Sequence, residues 1–411
     1  MAESNVHEKR NITAIVIVAA LGYFVDIYDL ILFSIVRVTS LKSLGVSGDA
    51  VLNEGVLLLN MQMSGMLIGG ILWGILGDKK GRISVLFGSI LLYSIANITN
   101  GFVQSIPMYA AMRFIAGVGL AGELGAGITL VSEVMSKESR GYGTMVVASI
   151  GIMGAVVAAL VGDAFDWRVA FYIGGGMGLV LLILRIGIYE SGMYDFIKKE
   201  ADIRKGSFHQ LFTDRKRFFK YVKCILIGAP LWFVVGILIT FSPEFAKNLG
   251  VSDTISAGTA VMYCYIGLAA GDFLSGLASQ VLKSRRKAIA IFMSFSTLII
   301  LVYLFYNHFG SFYFYTVCVL LGIGSGYWAV FVTNASEQFG TNLRATVTTT
   351  VPNFIRGSVV PMTIAFQFLK QYTGMIYSAL ILGIIVTVIA YIAVARMEET
   401  YGKDLNYVDV L

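Results

Sequence analysis

The residues with the most chemistry to offer are charges embedded in apolar sequence. Asp26 and Asp29 lie in the apolar stretch 12 to 36, Arg113 and Glu123 in 107 to 132, Asp272 in 256 to 281, and Arg356 in 346 to 369. A charge at the centre of a membrane helix costs about 2.5 to 3.5 kcal/mol, so each of these side chains must face a cavity or a partner. Asp26 and Asp29 are three residues apart, which makes them neighbours on one helical face, with Tyr28 between them. Arg356 follows Pro352 and Asn353 and precedes Pro361, with no acid at helical spacing to neutralise it. A guanidinium fork binds a carboxylate bidentately, so Arg356 is expected to bind an anionic or zwitterionic solute; the competing expectation is an ion pair with Asp26 or Glu123. Catalytic chemistry has little to build on. His7, His209 and His308 fall in terminal or loop segments, and Cys224, Cys264 and Cys318 sit inside apolar stretches without metal or redox spacing. No enzyme, no metal and no cofactor is therefore expected.

The elements that position these charges are membrane helices. Of the 411 residues, 57% are hydrophobic and 14% charged, far from the roughly 25% charged usage of a soluble domain. Apolar stretches of about twenty residues recur along the chain, each long enough to cross a hydrocarbon core. The first is too long and too acidic for a cleaved signal and is read as retained. We expect an all-α polytopic membrane protein of twelve spans, at 12 to 36, 54 to 76, 83 to 103, 107 to 132, 142 to 163, 168 to 189, 221 to 245, 256 to 281, 287 to 306, 310 to 333, 346 to 369 and 373 to 396. Alternate threading gathers most Lys and Arg on one side, including Lys79, Lys80, Arg285 and Arg286. Arg37, Lys42, Arg168, Lys247 and Lys370 remain on the other. By the positive-inside bias both termini are cytoplasmic, in a plasma membrane of bacterial inner-membrane type. The net charge of +6 is thus explained by orientation, with no nucleic-acid partner.

The long polar segment near 191 to 219 divides the spans six and six, giving bundles over 1 to 190 and 220 to 411. Its basic part, from Lys198 to Lys223, reads as an amphipathic linker resting on anionic membrane lipid. A repeat crosses it: Glu133 precedes Arg140 by the same seven residues that separate Glu337 from Arg344. Gly74-Ile-Leu-Gly-Asp78-Lys-Lys-Gly-Arg82 is likewise echoed by Gly276-Leu-Ala-Ser-Gln280-Val-Leu-Lys-Ser-Arg285-Arg286. Two pseudo-symmetric bundles with a solute site between them are the architecture of an alternating-access transporter.

The stretch Gly74 to Arg82 resembles the loop signature of the major facilitator superfamily. Arg113-Phe-Ile-Ala-Gly117-Val-Gly119, Glu133 with Arg140, Glu190-Ser191, and Glu337 with Leu343-Arg344-Ala345-Thr346 are similar to the branch holding sugar porters, metabolite:proton symporters and organic-ion transporters. Tyr28-Asp29 with Ala121-Gly122-Glu123-Leu124 looks closest to the metabolite:proton symporters. Gln280 in place of Asp, Gly192 after Glu190-Ser191 in place of Pro, and Ser284 before Arg285-Arg286 depart from the pattern. The resemblance implies that Asp29 serves as a proton-linked carboxylate with Arg113 as its switching partner, the alternative being a fixed pair. Apolar surroundings favour a carboxyl's neutral form and a nearby Arg its charged form. Asp26 and Glu123 join this proton-coupling set, with Asp272 a weaker candidate. The glycines around Glu123 are read as close-packing positions.

Arg356, Tyr28, Asn353, Trp232, Tyr263, Tyr327 and Trp328 are the candidate solute contacts, although Tyr and Trp also belt membrane interfaces. Asp78, Arg82, Glu133 and Arg140, repeated by Glu337 and Arg344, are expected to latch the cytoplasmic side with pairs worth about 0 to 1 kcal/mol each. The resulting expectation is a monomeric symporter of a small organic solute, an organic acid or a zwitterion, driven by protons. A uniporter or exchanger without proton coupling is the alternative. A non-transporting sensor on the same scaffold ranks below both.

Overall fold

The computed structural model describes residues 2–80, 82–123, 125, 140–188, 208–305 and 310–403. Among them every regular element is helical, as lipid requires: a helix pairs its backbone polar groups within the segment itself. The helices are α1 (Ala2–Ser43), α2 (Ala50–Lys80), α3 (Arg82–Asn100), α4 (Ile106–Leu120), α5 (Arg140–Ala164) and α6 (Trp167–Ile188), then, after the single turn Gln210–Thr213, α7 (Arg215–Phe233), α8 (Ser242–Asn248), α9 (Ala257–Val281), α10 (Arg285–Leu304), α11 (Ser311–Ser325), α12 (Trp328–Glu337), α13 (Thr341–Gly357) and α14 (Val359–Ala395). A π-helical segment, Val234–Ile239, separates α7 from the turn before α8.

Nine segments among the described residues are long and apolar enough to cross a membrane, and Ser84–Asn100 and Ile106–Leu120 are shorter apolar helices. Large apolar side chains point outward from them, Phe312 at 87% and Val281 at 81% exposure, an arrangement suited to hydrocarbon surroundings. The final segment, Thr346–Ala395, is 50 residues long, well beyond a single crossing, and Gly374 breaks it with φ 75°. Only glycine adopts that conformation without strain.

Three of the expected spans are interrupted. The span expected at 221 to 245 starts earlier, at Arg215, and gives way to the π segment after Pro230. The one expected at 310 to 333 breaks between α11 and α12, where Asp272 Oδ1 accepts the Ala329 amide at 3.0 Å. Between α13 and α14 the helix is interrupted at Ser358, three residues before Pro361, whose ring has no amide to donate to the preceding turn.

Glycine contacts set the closest helix crossings, and they recur. A Cβ on Gly65 of α2 would stand 2.2 Å from the Phe114 carbonyl oxygen, and one on Gly117 of α4 2.1 Å from that of Gln62. The α9–α11 crossing repeats this reciprocity with Gly267 against Val319 and Gly322 against Cys264. Small residues let the two backbones touch. The N-terminal elements meet the C-terminal ones where α2 packs on α13 and where α1 and α5 pack on α9.

Candidate functional site

Asp26 and Asp29 occupy the middle of the segment Thr13–Ser43, and both are fully buried. Residues three apart differ by about 60° around a helix axis, enough to give the two acids different neighbours. Asp26 faces Arg356 of α13, with Oδ2 3.6 Å from Nη2. Asp29 turns into the N-terminal elements, packed on Gly174 of α6 and facing Arg113 and Asn97. Neither Asp29 oxygen has a hydrogen-bond partner.

Arg113 is not in ion-pair contact with Asp29. Its guanidinium lies over the rings of Phe33 and Phe171, 5.3 and 5.5 Å from their centroids, and Nε, Nη1 and Nη2 are buried without hydrogen-bond partners. Glu123 is engaged differently from the expectation of a proton or solute contact. It forms a two-point ion pair with Arg185 of α6, through Arg185 Nη1 at 3.0 Å and a shorter contact from Nη2. Gly22 of α1 leaves the room for it, since a Cβ there would collide with both side chains. Sequence reasoning missed Arg185. The available signal was a cation standing alone late in an otherwise apolar stretch.

Arg356 is the meeting point of the site. Besides Asp26, its guanidinium stands 5.8 Å from the Trp232 ring centroid of α7, a cation–π arrangement. Arg356 Nε and Nη1, Trp232 Nε1 and Asn353 Oδ1 are all buried without hydrogen-bond partners. Asn353 donates to the Ala121 carbonyl at 2.8 Å, which ties α13 to the end of α4. Tyr23, on α1 before Asp26, faces both Arg356 and Trp328. The remaining candidates are placed otherwise. Tyr28 donates to the Ala170 carbonyl at 3.0 Å and Tyr327 to that of Ile227 at 3.1 Å, each joining two helices. Tyr263 is 36% exposed and packs on Tyr315, while Trp328 packs on Phe331. Asp272, through its bond to Ala329, anchors the start of α12.

Contacts join N- and C-terminal elements on either side of Arg356. Toward the end of α1, Arg37 binds Glu244 at 2.7 Å and donates to the carbonyls of Thr240 and Val51 at 3.3 and 3.4 Å, with its guanidinium over Phe241. Thr240 also donates to Ser34 at 3.0 Å, and Thr363 to Asn60 at 2.6 Å. The sequence had offered Arg37 only as an orientation signal. In the other direction Thr349 presses on Gly125, whose Cβ would fall 2.4 Å from the Thr349 Cα.

Of the expected latch, Glu133 lies outside the described residues, as do the side chains of Asp78, Arg82 and Arg140. Glu337 pairs with Arg285 at 3.4 Å and accepts from Thr400 at 2.7 Å, while Arg344 donates to the carbonyls of Ser336 and Phe339 at 3.2 Å. Glu399 gathers the ends of α10 and the chain beyond α14. Burial opposes its charge, yet the Ser284 hydroxyl and the amides of Tyr401, Arg285 and Arg286 hold its carboxyl below the usual range. Among the described residues no group of three or more metal-ligating side chains assembles.

Buried, under-partnered charges at mid-span are the groups that mark solute and ion pathways in helical membrane proteins. The chain belongs to the Major Facilitator Superfamily, whose family model matches residues 19–358, and with its relatives it is a transporter and not an enzyme. The niacin transporter NiaP of Acinetobacter baylyi is 25% identical over 95% of this chain and 94% of its own length. The gentisate transporter of Corynebacterium glutamicum is 24% identical over 92% of this chain and 86% of its own. The cis,cis-muconate transport protein of Acinetobacter baylyi is 26% identical over 95% and 94%.

Proposed function

We propose that the protein carries a small organic acid across the membrane by alternating access, with protons moving alongside it through the α1 carboxylates. The observation that carries this reading is Arg356, a mid-membrane guanidinium at the junction of N- and C-terminal elements with two nitrogens left without partners. Burying such donors is costly unless a ligand completes them. Relatives that move niacin, gentisate and muconate, all carboxylic acids, support an acid over a cation or a sugar.

The Arg37 contacts on one side of Arg356 and the Thr349–Gly125 contact on the other support an occluded arrangement, the intermediate that alternating access requires. Counting the two shorter apolar helices as spans, and Gly374 as the turn between two crossings, gives twelve transmembrane helices. The recurrent glycine crossings support two repeated bundles, 1–190 and 220–411, joined by the cytoplasmic linker. The bias of Lys and Arg toward one side supports a cytoplasmic position for Glu337–Arg285 and for both termini. One chain encloses the whole pathway, so a monomer suffices.

The test is proteoliposomes holding a trapped pH dye, given nicotinate, gentisate, benzoate, zwitterions and cations from outside. Lumenal acidification by an acid, lost in the Asp26→Asn/Asp29→Asn double variant, is the expected result. Acid flux without proton movement in either protein would replace symport by uniport or exchange. Transport of cations alone would remove Arg356 as the solute's seat.

A further inference from the structure

We propose that Asp26 and the solute's carboxylate are rivals for Arg356: Asp26 holds the guanidinium in the empty protein and must take up a proton before an acid anion is seated, so one proton enters with each acid bound. The proposal rests on the reading of Arg356 as the solute's seat, and it separates Asp26 from Asp29.

The geometry favours rivalry over a permanent bond. Asp26 and Arg356 are 0% and 1% exposed, so their attraction is little screened by water, yet the closest approach is 3.6 Å. The comparably buried Arg37 closes on Glu244 at 2.7 Å. Nη2 is the Arg356 nitrogen closest to Asp26, while Nε and Nη1 have no hydrogen-bond partner and neither has either Asp26 oxygen. The Trp232 ring lies against the guanidinium and its Nε1 is also unbonded, a further donor for an incoming anion.

A second carboxylate beside Arg356 would put two negative charges on one cation in a medium of low dielectric, which disfavours keeping both ionised. The groups around Asp26 leave Arg356 to decide the matter. Tyr23 and Asp29 share its helix, and Tyr93 of α3, Tyr265 of α9, Glu123 and Arg356 face it from elsewhere. The tyrosines are neutral phenols, Glu123 is bound to Arg185, and Asp29 faces Arg113. A proton arriving on Asp26 neutralises its carboxylate and releases Nη2; the solute arrives as the anion and leaves net charge in the site unchanged. A proton on Asp29, which is packed on Gly174, alters no contact of Arg356.

The experiment is calorimetric titration of the purified full chain with nicotinate, gentisate and benzoate, in two buffers of different ionisation enthalpy, to count protons taken up per acid bound. Wild type is expected to take up about one proton per acid wherever Asp26 is ionised before binding, with affinity falling about tenfold per pH unit over that range. Asp26→Asn is expected to take up none, to bind with an affinity that no longer falls as pH rises, and to be at least tenfold tighter than wild type at high pH. Arg356→Gln is expected to bind none of the acids.

Proton uptake that survives Asp26→Asn overturns the proposal. Should Asp26→Asn fail to fold, wild type still decides: acid binding without proton uptake at any pH, or with an affinity that does not fall as pH rises, overturns it. Absence of any acid binding to wild type is a different failure, since it removes the acid-transporter reading and the rivalry with it.

Discussion

Arg37 and Arg356 are both buried in the membrane-spanning region, and both reach across from one set of elements to the other, yet they are finished to different degrees. Arg37 has a carboxylate at 2.7 Å, two carbonyls and an aromatic face, and of its three guanidinium nitrogens Nε alone has no hydrogen-bond partner. Arg356 has one carboxylate at 3.6 Å, an aromatic face and two nitrogens with nothing to bond. The same contrast recurs inside the N-terminal elements, where Arg185 grips Glu123 at two points while Arg113 rests between two rings with no hydrogen bond. An arginine whose guanidinium is gripped at two points by a carboxylate has a structural place. One left incomplete in a low-dielectric interior stores free energy that a ligand, a proton transfer or a rearrangement releases.

The largest effect tests the finished member of the inner pair. Arg185→Met leaves the Glu123 carboxylate buried and alone, which is expected to destabilise the protein by about 3 to 5 kcal/mol; adding Glu123→Gln should recover most of it. Thermal unfolding of the detergent-solubilised protein reads this directly. No loss of stability in Arg185→Met would erase the distinction between finished and unfinished arginines. Its counterpart is Arg113→Met, where removing a charge without hydrogen bonds is expected to leave stability unchanged or raised while acid uptake falls at least tenfold. A large loss of stability there would make Arg113 structural after all.

These pairings also show how much of the site could be read from the chain alone. Composition and the spacing of apolar stretches exposed the helices, because lipid leaves few other solutions for a backbone. The rarity of charges within those stretches singled out Asp26, Asp29, Arg113, Glu123 and Arg356, and the structure buries all five. Partnership was not legible. Arg185 meets Glu123 across 62 positions and Arg37 meets Glu244 across 207, and no local spacing encodes such distances. The aromatic candidates were harder still. Trp232 reached Arg356, whereas Tyr28 and Tyr327 bond backbone carbonyls, because a phenol in a helix interface donates to any acceptor within reach. The breaks at Gly326 and Ser358 arise from capping and from the missing Pro361 amide, which apolar periodicity does not register.

A smaller effect is expected where a finished arginine keeps most of its partners. Glu244→Gln removes one charged contact from Arg37 and leaves the Thr240 and Val51 carbonyls in place, a loss of about 1.5 to 3 kcal/mol in the closure at that end. Ser34 is 4% exposed and accepts the Thr240 hydroxyl, so it reports on that closure. In a background lacking Cys224, Cys264 and Cys318, a Ser34→Cys variant should react several-fold faster with a membrane-impermeant thiol reagent when Glu244→Gln is added. An unchanged rate would mean that this end is held shut by packing, and that Arg37 and Arg356 differ less in function than in geometry.

The smallest effect carries the comparison to Glu399, an acid beyond the last helix whose acceptor oxygens are fully used. Although burial opposes its charge, bonds from the Ser284 hydroxyl and from the amides of Tyr401, Arg285 and Arg286 hold its folded-state affinity for protons below that of the unfolded chain. The sign follows from that direction: the contribution is complete above the ordinary carboxylate range near 4.5 and is lost as pH falls through the lower, folded-state value. Because the group is largely solvated, screening limits the contribution to a fraction of about 1 kcal/mol. Thermal unfolding followed from pH 7 to pH 3 should therefore show a slightly steeper acid decline in wild type than in Glu399→Gln, with the two curves converging at the acid end. Parallel curves would mean that the Ser284 and amide bonds hold a neutral acceptor equally well, and that completeness of hydrogen bonding, not charge, is what separates the finished sites from Arg356.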